Sequence, residues 1–146
     1  MTIRIATWNI NSVRLRETLV CKVLAENDID ILCLQETKTQ SEFFPRRNFE
    51  KMGYSEIFVR GQKSYNGVAI ISRVALIENN SIDFCEKGDA RHISARLDNG
   101  VFLHNFYVPA GGDIADRSAN EKFGHKLDFL TEMREFSKTR KSEKLI

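Results

Sequence analysis

The sequence is poor in the residues that staple or stiffen small proteins. It has three cysteines in 146 residues, Cys21, Cys33 and Cys85, with no C-x-x-C pair. An odd number so spaced argues against a disulfide framework and against a zinc site, and fits reduced thiols. The three histidines, His92, His104 and His125, have no ligand spacing either. Prolines number two, and there is no internal repeat or low-complexity tract. No apolar run approaches the ~20 residues that a membrane helix needs. The N-terminal MTIRIATWNIN alternates apolar and polar residues, where a signal peptide would have a basic region and an apolar block. These absences predict a cytoplasmic protein with no membrane segment. Charge excess is missing too: 22 Lys and Arg against 20 Asp and Glu leave +2. A polyanionic partner would have to be held at a site, since bulk charge cannot hold it.

What is present is ordinary globular composition, 42% hydrophobic and 29% charged, in a chain the length of one domain. Ile3 to Trp8 alternates as a strand. Ser12 is a plausible N-cap for a helix to about Asn27, with Leu15, Leu19, Val20, Val23 and Leu24 spaced as one face. The dense apolar run Ile29 to Leu34 reads as a buried strand, completing a strand–helix–strand unit. A short helix is expected around Phe49 and Met52. Strands are expected at 57–60 and 68–72, bracketing the loop 61–67. Strands at 93–97 and 101–107 flank Asp98-Asn99-Gly100, a hairpin signal whose Asn-Gly pair suits a turn with positive φ at both central residues. A helix over about 118–138 carries Phe123, Leu127, Leu130, Met133 and Phe136 as a stripe. Leu145-Ile146 then looks like the start of another buried strand.

Three of these strands end in polar residues that a strand end does not require: Asn9, Glu36, and Asn105-Phe106-Tyr107. An acid directly after Ile-Leu-Cys-Leu-Gln is costly to seat unless it is neutralised, and a hard divalent cation with oxygen ligands would do so. Alternatively, Glu36 points into solvent and Asn9 caps a turn. Position alone leaves both readings open.

The local strings weigh on that choice. Thr7-Trp8-Asn9-Ile10-Asn11, Leu34-Gln35-Glu36-Thr37-Lys38, Gly67-Val68-Ala69-Ile70 and Asn105-Phe106-Tyr107-Val108-Pro109-x-Gly111 together resemble the exonuclease III family of abasic-site endonucleases, in order and interval. The broader endonuclease/exonuclease/phosphatase group shares the first two elements. The resemblance implies an α/β fold: half of a four-layer α/β/β/α sandwich, as one mixed, largely antiparallel sheet with helices on its outer face. It implies Mg²⁺-dependent cleavage of duplex DNA 5′ to abasic sites and from 3′ ends in base excision repair, with Mn²⁺ as the alternative ion. Glu36 would be the carboxylate ligand of the metal and Asn9 its neighbour in the cluster. Tyr107 would be catalytic, near the scissile phosphate. Tyr65 and Lys63, in the 63–67 loop, with Arg91 and Lys38 would contact DNA.

The chain also departs from the family pattern. The family's G-D-x-N element, its further Asp and its terminal S-D-H are absent, and with them the residues assigned to water activation and phosphate pairing. The sequence therefore looks like an N-terminal portion, truncated or split, of one such domain spanning 1–146, with a separately encoded C-terminal half as a candidate partner. Alone, it is expected to be nearly inactive. The alternatives are a non-catalytic remnant that binds DNA weakly, or another phosphoesterase of the same superfamily. A lone sheet of this kind would expose an apolar face on the order of 500 Å², enough to demand a partner.

Overall fold

The computed structural model describes residues 2–146. Strand β1 (Ile5–Asn9) leads through helix α1 (Val13–Asn27) to β2 (Ile31–Gln35). β1 and β2 are parallel neighbours, with Ile5 opposite Ile31 and Asn9 opposite Gln35. A parallel pair needs a crossover, and α1 supplies it. After a short 3₁₀ turn (Ser41–Phe43) and helix α2 (Arg46–Lys51) come β3 (Glu56–Arg60) and β4 (Val68–Ser72). The first sheet has the order β1-β2-β4-β3, with β4 antiparallel to both neighbours. Strands β5 (Leu76–Asn80), β6 (His92–Leu97), β7 (Val101–Phe106) and β8 (Lys144–Leu145) form a second sheet in that order, and α3 (Glu121–Thr139) lies between β7 and β8 in the chain.

The α/β class and the mixed, largely antiparallel strands agree with the sequence reading, but the single sheet does not. The strands divide into two sheets stacked face to face. Ile31, Cys33, Val68 and Ile70 of the first pack against Ile93, Ala95, Leu97 and Leu103 of the second. α1 and α2 cover the other face of the first sheet, where Val13, Val20, Leu24 and Phe49 meet Leu32, Leu34, Ala69 and Ile71. α3 covers the second sheet, with Phe129 and Phe136 packed on Phe84, and Phe84 on Phe106. All four layers are therefore present, each sheet four strands wide. The bare apolar face expected of a lone sheet does not exist, because the second sheet covers it. With both faces covered, β2 and β4 are buried along their whole length, which is why they read as unbroken apolar runs.

Several local expectations are revised. Ser12 precedes α1 at φ 83° and makes no side-chain cap; its backbone N–H instead donates to the Glu36 carbonyl at 2.8 Å. α1 buries Val13, Val20 and Leu24 and leaves Leu15 82% exposed. α3 turns Phe129 inward and leaves Leu127 and Leu130 outside. In the β6–β7 hairpin only Gly100 has positive φ, at 81°, so the turn closes through one left-handed residue. β8 is present but exposed.

Candidate active site

Parallel pairing brings the C-terminal ends of β1 and β2 to the same sheet edge. Asn9 is the last residue of β1, and Glu36 follows β2 directly. The edge is held by backbone in unusual conformations: Asn11, Ser12, Glu36, Lys38 and Asn66 all have positive φ. Such residues cost free energy and persist where neighbours over-determine them. Here the over-determination is visible. Ser12 and Val13 donate to the carbonyls of Glu36 and Thr37, while Thr37 and Lys38 donate to those of Gly67 and Asn66.

The third strand end comes from the opposite sheet. Gln35 Nε2 donates to Asn105 Oδ1 at 2.7 Å. Asn105 Nδ2 donates in turn to the carbonyls of Leu34 and Ala69, both at 2.9 Å. This buried amide pins β7 to β2 and β4, and two residues on, it delivers Tyr107 to the edge. The Tyr107 hydroxyl donates to Glu36 Oε1 at 2.7 Å. Asn9 Nδ2 donates to the same oxygen at 2.9 Å, and Lys38 Nζ stands 3.2 Å from Oε2. Glu36, Asn9, Tyr107 and Lys38, all singled out in the sequence, thus converge on one carboxylate. They do so across two sheets and not along one.

The electrostatics follow from those contacts. The Asn9 amide first, then the Tyr107 hydroxyl and Lys38, hold the Glu36 carboxyl below its usual range despite partial burial. Burial and the adjacent carboxylate push the Tyr107 phenol up, so it stays a hydroxyl donor. Arg91 lies against the other side of Tyr107, its guanidinium 4.6 Å from the ring centroid. It is paired with Asp89 at 3.0 Å and donates to the Tyr107 carbonyl at 3.3 Å.

The loop with Lys63 and Tyr65 is exposed at its tip and clamped at its base. A Cβ on Gly61 would fall 2.3 Å from the Thr39 carbonyl oxygen, and one on Gly67 would fall 2.1 Å from Thr37 Oγ1. Only glycine allows the loop to sit this close to 37–41. Within it, Gln62 Oε1 accepts from Asn66 Nδ2 and from the Ala90 N–H. Tyr65 projects outward. Sequence reading quoted Gln35, Asn105 and Asn11 in its strings but gave them no role of their own. Asn11 Oδ1 accepts from Lys38 Nζ at 2.5 Å, and the N-I-N string was the available signal.

Residues 6–139 match the model of the Endonuclease/Exonuclease/phosphatase family. The chain belongs to this family.

Its relatives fall in the branch anticipated from the Q-E-T-K and N-x-Y-x-P-x-G strings. The exodeoxyribonuclease III of Haemophilus influenzae is 29% identical over 135 residues, which cover 89% of this chain and 49% of the relative. An AP endonuclease structure from Archaeoglobus fulgidus is 36% identical with a TM-score of 0.84, covering 94% of this chain and 52% of that one. A 3′ phosphatase from Neisseria, solved with a product DNA hairpin, is 32% identical with a TM-score of 0.87, covering 99% and 55%. The chain spans about half the length of these relatives. No helix among the described residues is long and apolar enough to cross a membrane.

Proposed function

We propose that residues 1–146 form the carboxylate-bearing part of an exonuclease III-type nuclease centre. Its reaction is metal-dependent phosphodiester hydrolysis in duplex DNA, 5′ to abasic sites and at 3′ ends. The observation carrying this reading is the convergence of Asn9, Tyr107 and Lys38 on the ionised Glu36 at an open sheet edge.

Glu36 and Asn9, the groups nearest a metal position, offer carboxylate and amide oxygen, which suits Mg²⁺, or Mn²⁺ in its place. Glu36 would hold the ion, with Asn9 fixing the carboxylate's orientation. One carboxylate leaves most coordination positions to water, and no three His, Cys, Asp or Glu side chains among the described residues cluster to hold an ion. The fit is therefore to a weakly held, hydrated cation. Bound there, it supplies positive charge beside the scissile phosphate.

The chain's own residues do the rest. Tyr107, kept protonated, can turn its hydroxyl from Glu36 to a phosphate oxygen as charge builds on it. Arg91 braces the Tyr107 ring and adds positive charge toward the DNA backbone. Lys38, Lys63 and Tyr65 contact the strand beside the lesion. Asp89, the acid beside Arg91, is tied to that guanidinium and is not free to activate water. Loss of a general base costs ~10² to 10⁴ in rate. The missing acid and the phosphate-pairing imidazole have to come from polypeptide outside residues 1–146, a separately encoded C-terminal half being one source. A cytoplasmic setting suits the three free thiols.

The test is incision of an end-labelled abasic duplex by the purified chain, in Mg²⁺ and in EDTA, with and without a polypeptide carrying the G-D-x-N and S-D-H elements. Metal-dependent incision that appears on complementation and is lost in Glu36→Gln is the expected result. DNA binding with no incision in any mixture would favour the non-catalytic reading. Phosphate release from inositol phosphates, with no preference for the abasic duplex, would favour another phosphoesterase.

A further inference from the structure

Beside the Glu36 edge lies a second concavity, whose Arg14 and Phe43 have no part in the nuclease reading although its Lys38 and Lys63 do. Its walls include Arg14 from the first turn of α1, Lys38, Gln40, Phe43 from the 3₁₀ turn, and Lys63 and Ser64 from the clamped loop. No acidic residue lines it. Neither Arg14 nor Lys63 meets a carboxylate among the described residues; of the three cations only Lys38 is paired, with Glu36. In a chain whose net charge is only +2, the two unpaired basic side chains beside the paired Lys38 make this hollow a local excess of positive charge. Phe43 stands at this site 58% exposed, although its neighbour Phe44 is buried in the core. An aromatic ring left in water beside unpaired cations is the pairing found where nucleic-acid strands bind: cations for phosphates, a ring for a base.

We infer that Arg14, Phe43 and Lys63 form a subsite for an unpaired nucleotide, continuous through Lys38 with the Glu36 centre. Within a duplex both faces of a base are covered by its neighbours, so an exposed phenyl ring has nothing to stack on. A frayed or overhanging nucleotide offers a free face. Arg14 and Lys63 take the flanking phosphates, and Phe43 takes the base without regard to its identity, because every base has a π-face. The subsite deepens the nuclease reading and rests on it for orientation. It gives the protein a preference for DNA with an unpaired strand next to the reacting phosphodiester.

Fluorescence anisotropy of labelled DNA, with the full chain in EDTA so that nothing is cleaved, tests this directly. Three probes are compared: a duplex with a short overhang, the same duplex blunt-ended, and the overhang duplex with the overhang bases removed but its phosphates kept. The overhang probe is expected to bind about tenfold more tightly than either of the others. Phe43→Ala abolishes that preference and Phe43→Trp keeps it, while Arg14→Gln and Lys63→Gln weaken all three probes and each lowers the salt slope by about one. Equal binding of intact and baseless overhangs, an unaltered preference in Phe43→Ala, or no binding of any probe would overturn the subsite. The incision assay above reads the Glu36 chemistry separately. Restored incision alongside a Phe43→Ala variant with wild-type binding would remove the subsite and leave the nuclease reading standing.

Discussion

Gln35 and Asn105, 70 positions apart in the chain, share a 2.7 Å hydrogen bond in the buried space between the two sheets. Asn105 spends its amide protons on two main-chain carbonyls of the first sheet. Every polar atom of its side chain is thereby used, and all the partners are shielded from water. Replacing Asn105 with Ala should leave the Gln35 amide and two carbonyls short of a partner, costing roughly 3 kcal/mol or more. Urea unfolding of the variant checks this. A midpoint within error of wild type would mean that water replaces the amide without loss.

Tyr107→Phe removes one donor from Glu36 and little else, since Arg91 packs against the ring. The fold should survive with its thermal midpoint nearly unchanged. The Glu36 carboxyl should rise toward its ordinary range, because one of the groups holding it down is gone. Carbon-detected NMR titration of the glutamate carboxyls reads the shift. In the complemented protein, incision should fall by about 10².

Gly67 sits at φ 92° with Thr37 Oγ1 where its Cβ would go. Thr37 is fully buried and cannot swing aside. Gly67→Ala therefore combines backbone strain with a clash and should cost about 2 kcal/mol or more. Calorimetry gives the loss. Gly100→Ala is the control: it has similar positive φ and nothing within 4 Å of its Cβ, so it should cost less.

On the outer face of the second sheet, His92 Nδ1 accepts from the Ile82 N–H at 3.0 Å, and its Nε2 lies 3.0 Å from His104 Nδ1. Burial first, then the neighbouring His104, Arg60 and Arg140, push His92 down to about 3. His104 is lowered as well, chiefly by burial. Below pH ~6.5 the unfolded chain takes up protons that the folded pair refuses, so acid favours unfolding. For His92 the loss should approach about 1.4 kcal/mol per pH unit as the pH falls from about 6.5 toward about 3. Urea midpoints measured between pH 7.5 and 4.5 should decline, and His92→Gln should flatten the decline.

Local structure was legible where one physical signal dominated. The β2 run, the end of α1 at Asn27-Asp28 and the Asn99-Gly100 turn all lie where the sequence predicts them. The grouping of Asn9, Glu36, Tyr107 and Lys38 was legible only through the family resemblance, because position alone left Glu36 equally able to face solvent. Sheet membership was not legible. Alternation tells which residues of β6 and β7 face inward but not which sheet they face. In α3 the expected stripe of Phe123, Leu127, Leu130, Met133 and Phe136 belongs to a wide apolar arc that also holds Phe129; packing on Phe84 turned Phe129 and Phe136 inward and left Leu127 and Leu130 at the margin. β5 was missed because Glu78, Asn79 and Asn80 are polar and exposed. Asn105 carried a misleading signal: it looked like a polar site residue, and its side chain is a bolt between sheets.

That bolt has a consequence for safety as well as shape. Glu36 and Asn9 belong to one sheet and Tyr107 to the other, and they meet only when the sandwich is closed. A chain caught half-made, or one whose sheets have slipped, holds its carboxylate and its hydroxyl apart. The nuclease centre proposed at this edge would thus assemble only as the interior is completed, and a misfolded copy would be disarmed by its own misfolding.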